Sequence, residues 1–232
     1  MNTTPLTSPD SIIEIHDLEF QYTPGKPVLK IERLKINRGE RIFIYGPSGS
    51  GKTTLLGLLA GVLPPQKGSI EILGEKLEKM SGSARDHFRG NHLGYIFQMF
   101  NLIPYLSVEE NIRLSAELNP LRAKKVKGHE SSSALAIAKA LGIEDFLNRK
   151  VTELSVGQQQ RVAAARALYG SPEIIIADEP TSALDYDHRE RFLELLFSEC
   201  EKTNATVLFV SHDRQLEKLF DRCLSLAEMN IA

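Results

Sequence analysis

Gly46-Pro47-Ser48-Gly49-Ser50-Gly51-Lys52-Thr53 fits G-x-x-x-x-G-K-S/T at every position, between a short apolar strand pattern (41–45) and helical spacing (53–60). Glycines at these positions let backbone N–H groups turn inward around phosphate oxygens. A helix starting near Lys52 adds its positive dipole end. Lys52 is then expected to reach the β- and γ-phosphates and the Thr53 hydroxyl to ligate Mg²⁺, with Thr54 following in the same turn of the binding site. Alone, the motif specifies a nucleotide and does not separate kinases, GTPases and ATPases.

The complementary acidic end is expected at Ile174-Ile175-Ile176-Ala177-Asp178-Glu179, an apolar run suited to a sheet buried on both faces and closed by two carboxylates. Asp178 suits a Mg²⁺ held through its water shell. Glu179 is the candidate to orient or deprotonate an attacking water. Adjacent strand residues point oppositely, so the two carboxylates divide these jobs.

Outward from these motifs, strand patterns cover 12–20, 28–36 and 69–73, with a turn at Thr23-Pro24-Gly25-Lys26-Pro27. From about 81 to 170 the pattern is mostly helical (84–91, 108–118, 132–141 and 157–169). Strands and helices alternate again through 174–177, 187–203, 206–210, 214–220 and 223–226. Alternation at both ends predicts an α/β core with a largely parallel sheet, and the central block reads as an inserted helical subdomain. One domain over 12–232 is expected, with its core at about 12–98 and 160–232 and the helical part at about 99–159.

With 42% apolar and 25% charged residues the chain can bury a core, and its net charge of −2 disfavours nucleic acid as a partner. The basic run Arg122, Lys124, Lys125 and Lys127 reads as a solvated loop. Cys200 and Cys223 form no CxxC pair and read as buried or idle thiols. The polar start carries no secretion signal, and no run approaches the roughly 20 apolar residues that span a bilayer. A cytoplasmic chain is expected, reaching a membrane only through a partner.

Leu154-Ser155-Val156-Gly157-Gln158-Gln159-Gln160-Arg161, upstream of Asp178, resembles the LSGGQ signature of the ABC ATPase family. Ser155 suits an N-cap and Gly157 leaves backbone N–H groups free at a helix start. The resemblance covers almost the whole chain. It implies a P-loop NTPase, RecA-like core with an N-terminal antiparallel β element, ATP and Mg²⁺ as cofactors, and a homodimer closing head to tail. In that arrangement Ser155, Gly157 and Gln158 of one copy would meet ATP on the other. Gln98 resembles the Q-loop glutamine at Mg²⁺ and water, Asp185 the D-loop aspartate, His212 the switch histidine on the γ-phosphate, and Tyr22 the aromatic that stacks on adenine. Val156 departs from the pattern by replacing the first glycine, which is expected to alter closure without abolishing function.

The segment 95–108, with Phe97, Phe100, Leu102, Tyr105 and Leu106, is similar to that of the macrolide-exporting and lipoprotein-releasing (MacB/LolD) branch, including DevA-like exporters. This implies a transmembrane permease partner of MacB/FtsX type and a peripheral place on the inner face of the membrane. Its apolar residues fill the helical subdomain, form a docking groove, or divide between the two. Two other classes stand beside a transport ATPase. One is an FtsE-like ATPase driving a signalling complex; the other is a soluble ABC ATPase, which usually carries two cassettes or a coiled-coil insertion.

Overall fold

The computed structural model describes residues 11–127, 133–182 and 186–232. Its strands are β1 (Ser11–Thr23), β2 (Lys26–Asn37), β3 (Arg41–Tyr45), β4 (Lys67–Ile72), β5 (Glu75–Lys76), β6 (Leu93–Ile96), β7 (Ile174–Asp178), β8 (Thr206–Val210) and β9 (Arg222–Ser225). Its helices are α1 (Lys52–Leu59), α2 (Gly82–His92), α3 (Val108–Glu117), α4 (Pro120–Val126), α5 (Ala134–Ala140), α6 (Val156–Leu168), α7 (Tyr186–Thr203) and α8 (Leu226–Met229).

One sheet has the order β6-β7-β8-β3-β9, and every neighbouring pair in it is parallel. Its strands are nearly unbroken apolar runs because both faces are covered. Ile42, Ile44, Ile176 and Leu208 face α1 and the second sheet, while Phe43, Ile175, Val207 and Phe209 face α6 and α7. The second sheet is antiparallel, in the order β2-β1-β4-β5, and alternates buried and outward residues as a one-sided sheet should. The α/β class with a parallel sheet and an N-terminal antiparallel element is therefore what the chain adopts. The apolar side chains of α3, α5 and α6 form one continuous cluster with the second face of the parallel sheet.

Local signals explain the helix starts. Ser81 caps α2 by accepting from Ala84 N, and Ser107 and Glu110 form a capping box at α3. The 214–220 stretch closes as a tighter 3-10 helix, Arg214–Leu219. Cys200 is buried and Cys223 half-buried, and both thiols are free.

The basic run is not a solvated loop. Most of it forms α4, started by Pro120 in its first turn. Arg122 is only 2% exposed, and its guanidinium donates to the carbonyls of Leu93, Ala167 and Tyr169. Lys125 Nζ lies 2.9 Å from Glu173 Oε1, and His92 Nδ1 lies 3.0 Å from Glu173 Oε2. Two helices are thus pinned to the segment entering β7.

Burial alone would push the Glu173 carboxyl up. Hydrogen bonds and charge from His92 and Lys125 outweigh it and hold the group at about 2, below the ordinary 4.5. A depressed carboxyl stabilises the fold above its unfolded value and loses that contribution as pH falls through the folded one. Glu173→Gln is expected to destabilise the protein by about 1–2 kcal/mol at neutral pH, discounted for partial exposure. Urea titrations from pH 7 downward should show the difference intact above about pH 4.5 and gone near pH 2.

Candidate functional site

All five strands of the parallel sheet end at one edge, so the loops after β3, β6, β7 and β8 meet there. Ile44 and Asp178 both sit beside Val210 in register, one on each side, and Ile96 pairs with Ala177. Order reverses between β8 and β3, the kind of edge position at which open α/β sheets bind ligands.

The loop leaving β3 turns through Gly49 (φ 81°) and Gly51 (φ 95°). At Gly51 a Cβ would also stand 2.8 Å from Leu29 Cδ2, so backbone and packing both demand glycine. Gly51 caps α1 with no side-chain hydrogen bond, which leaves the first N–H groups of α1 to face the loop. Lys52 Nζ donates to the carbonyls of Gly46 (2.7 Å) and Pro47 (2.9 Å) and so arches across the loop. Ser50 Oγ is buried without a partner. Tyr22, 63% exposed, holds its hydroxyl 3.2 Å from Thr54 Oγ1 and packs edge-on against Phe20.

Across the edge, burial pushes the Asp178 carboxyl up, the neighbouring Glu179 charge adds to this, and Lys52 pulls it down. Glu179 takes a left-handed conformation (φ 44°) as the strand becomes a turn, its N–H bonded to Val210 O at 2.9 Å. A side chain other than glycine held in that region is strained, and the surrounding bonds must enforce it. Glu179 Oε2 lies 3.2 Å from His212 Nδ1. Gln98 is exposed in the turn after β6 on the same edge.

Lys52, Asp178, Glu179 and His212 are therefore brought together, with Thr53 on the first turn of α1. The signature residues are not. Ser155 Oγ accepts from Gln158 N (3.3 Å) and Gln158 Oε1 from Ser155 N (2.9 Å), so these side chains are engaged in capping α6. Val156 is 48% exposed at the first position of that helix, with Gly157 next to it. Asp185 lies outside the described residues.

The ABC transporter family pattern matches residues 29–182. This chain belongs to the ABC transporter ATP-binding family. It is 39% identical to the ABC transporter ATP-binding protein YbbA of Escherichia coli over 220 residues, covering 94% of this chain and 95% of that one. It is 41% identical to the lipoprotein-releasing system ATP-binding protein LolD of Psychrobacter arcticus over 194 residues, 83% and 84% of the two chains. A dimeric post-hydrolysis structure of the ATP-binding cassette MJ0796 bound to ADP and Pi superposes with a TM-score of 0.79 at 34% identity, covering 92% and 94%. The ABC cassette described here is thus an ATP-binding, ATP-hydrolysing subunit of LolD-like type.

Two residues bear on this edge without having stood out in the sequence. Asn230 donates to Val28 O (2.9 Å) and Ser50 O (3.3 Å), tying the C-terminal segment to the phosphate loop. Arg166 donates to Phe100 O and Asn101 O, just beyond Gln98. A lone arginine in the run Ala163-Ala164-Ala165-Arg166-Ala167 was the available signal for the second. Lys52→Ala removes the ammonium that arches across this loop and that the sequence assigns to the phosphates. Steady-state ATPase assays should then show turnover reduced by ~100-fold or more.

Proposed function

We propose that two copies of this ABC cassette close head to tail around ATP and drive a membrane permease of the MacB/FtsX type. The observation that carries the reading is the exposed helix start at Ser155–Gly157, where the Ser155 and Gln158 side chains are engaged in their own capping box. A helix end with free N–H groups suits an anion, and a second copy supplies one.

In this reading the N–H groups of the 46–54 loop, to which Pro47 contributes none, hold the phosphates, and Lys52 exchanges the carbonyls of Gly46 and Pro47 for phosphate oxygens. Tyr22 offers its exposed ring to adenine. Glu179 accepts the proton of the attacking water, and His212, already 3.2 Å from it, holds that carboxylate and reaches the γ-phosphate. Asp178, the Thr53 hydroxyl and the Gln98 amide oxygen are hard oxygen donors beside an unpartnered Ser50 hydroxyl, and they fit Mg²⁺. When bound, the ion neutralises charge on the β- and γ-phosphates. Asp185 is assigned to contact with the second copy. The division into a core at about 12–98 and 160–232 and a helical part at about 99–159 is kept as the unit of movement.

Docking to the permease is assigned to a groove of about 460 Å³ lined by Val62, Arg89, Phe97 and Leu118, together with Met99 and Tyr105 of the 95–108 segment, which are 82% and 74% exposed. Phe100 and Leu102 instead pack into the core, so the 95–108 segment divides between packing and outward display. No described helix is long and apolar enough to cross a membrane, and the relatives YbbA and LolD are named as ATP-binding proteins of transport systems. A place on the inner face of the membrane through the permease follows from this reading.

Glu179→Gln keeps shape and hydrogen bonding but removes the base. Size-exclusion chromatography with ATP and Mg²⁺ is expected to show a stable dimer that wild type does not accumulate. A variant that stays monomeric and still hydrolyses ATP would assign the base elsewhere. Met99→Glu with Tyr105→Glu, co-expressed with the permease, should leave the membrane fraction while wild type resists a salt wash, since apolar docking is weakly screened. Both residues are exposed, so melting temperature and nucleotide affinity should stay at wild-type values.

A further inference from the structure

Gln98 sits in a turn with no regular structure to hold it, yet the chain just after it is tightly fixed. Phe100 (φ 59°) and Asn101 (φ 48°) are consecutive non-glycine residues in the left-handed region. Such a pair persists only where surrounding contacts enforce it. Three contacts do so. The Phe100 ring is buried in the cluster that includes α3 and α6. Asn111 of α3, fully buried, accepts from Ile103 N (2.8 Å) and donates to Ile103 O (3.1 Å). Arg166 of α6 donates through one terminal nitrogen to Phe100 O and through the other to Asn101 O, both at 2.6 Å.

The third contact differs from the others in tying the turn by hydrogen bonds to α6, whose N-cap is Ser155. Eleven residues of helix, about 16 Å at 1.5 Å per residue, separate the signature cap from the guanidinium. A helix is stiff over that length, so displacement of its N-terminal end is carried to Arg166. We infer that Arg166 is a positioning residue that straps the Gln98 turn to α6, so that seating of the signature helix sets where the Gln98 amide stands. This rests on the assignment of Gln98 to the nucleotide site made above. A lysine in its place carries a single nitrogen on a flexible stem and lacks the rigid fork whose two terminal nitrogens meet the two carbonyls separately.

The test uses the full chain in four forms: wild type, Arg166→Lys, Gln98→Ala and the double variant. Arg166→Lys is expected to lower kcat about 10- to 100-fold, the scale of an ~1 Å misplacement, with KM for ATP within about twofold. If Arg166 acts through Gln98, the double variant should be no slower than the slower single one. Multiplying effects would overturn the strap and leave Gln98 in place. A wild-type rate for Gln98→Ala would overturn the Gln98 assignment itself.

The chain contains no tryptophan, so Met99→Trp supplies a single emitter next to Gln98. Acrylamide quenching of that emitter should rise when Arg166→Lys is added, and unchanged quenching overturns the proposal without reference to activity. Should the lysine variant melt far below wild type, Arg166→Gln is read in its place. Failure of both to fold would show that the arginine supports the whole domain, which also overturns a positioning role.

Discussion

The phosphate loop imposes the constraint on which the rest of the molecule depends. Its N–H groups must all face one small volume, and no side chain can substitute for backbone pointed the wrong way. That geometry needs a strand to deliver the loop, a helix to receive it, and glycine where φ is positive, as at Gly51 against Leu29. A strand and helix so placed are fixed only if the sheet around them is rigid. Burial of the parallel sheet on both faces supplies the rigidity, and the antiparallel sheet closes the face that α1 alone cannot cover.

A single sheet edge then gathers charge from distant parts of the chain. Lys52, Asp178 and Glu179 approach one another because β3, β8 and β7 are neighbours, although 126 residues separate Lys52 from Asp178 in sequence. Burial and then the neighbouring Glu179 charge push the Asp178 carboxyl up, and the Lys52 ammonium offsets them only in part. A divalent cation reverses that tendency, which is why the proposed Mg²⁺ and the anionic substrate suit the same edge. Strain at Glu179 places it off the strand, with His212 rather than Val210 meeting its carboxylate.

What was legible in the sequence was local. The phosphate loop, the apolar strand ending in Asp178 and Glu179, and the Ser155 cap each depend on a few consecutive residues and on backbone rules. What was not legible depends on partners far along the chain. Arg122 reads as part of an exposed basic run until Ala167 and Tyr169 provide buried carbonyls 45 and 47 residues away. Arg166 finds Phe100 at a separation of 66 residues, and Asn230 finds Ser50 at 180. In each case a polar side chain satisfies backbone carbonyls that strands, irregular turns or helix ends leave open, a pairing with no sequence period.

The same buried carbonyls bear on how the signature could move relative to the sheet. A Cβ at Gly94 would stand 2.3 Å from the Ala167 carbonyl oxygen, so β6 and the C-terminal end of α6 pack backbone against backbone. Arg122 bridges those elements again, binding Leu93 O and Ala167 O from one guanidinium. The far end of α6 is therefore anchored to the strand that leads into the Gln98 turn, while its Ser155 end is exposed. A rotation of the helical block would pivot near Ala167 rather than translate α6 as a whole. Arg166 adjoins that pivot, so the turn it straps would rotate with the helix through a small arc. In the proposed head-to-tail dimer, a tightly packed pivot with the signature about 16 Å out along the helix would turn sizeable motion at the partner's nucleotide into a fine adjustment at Gln98.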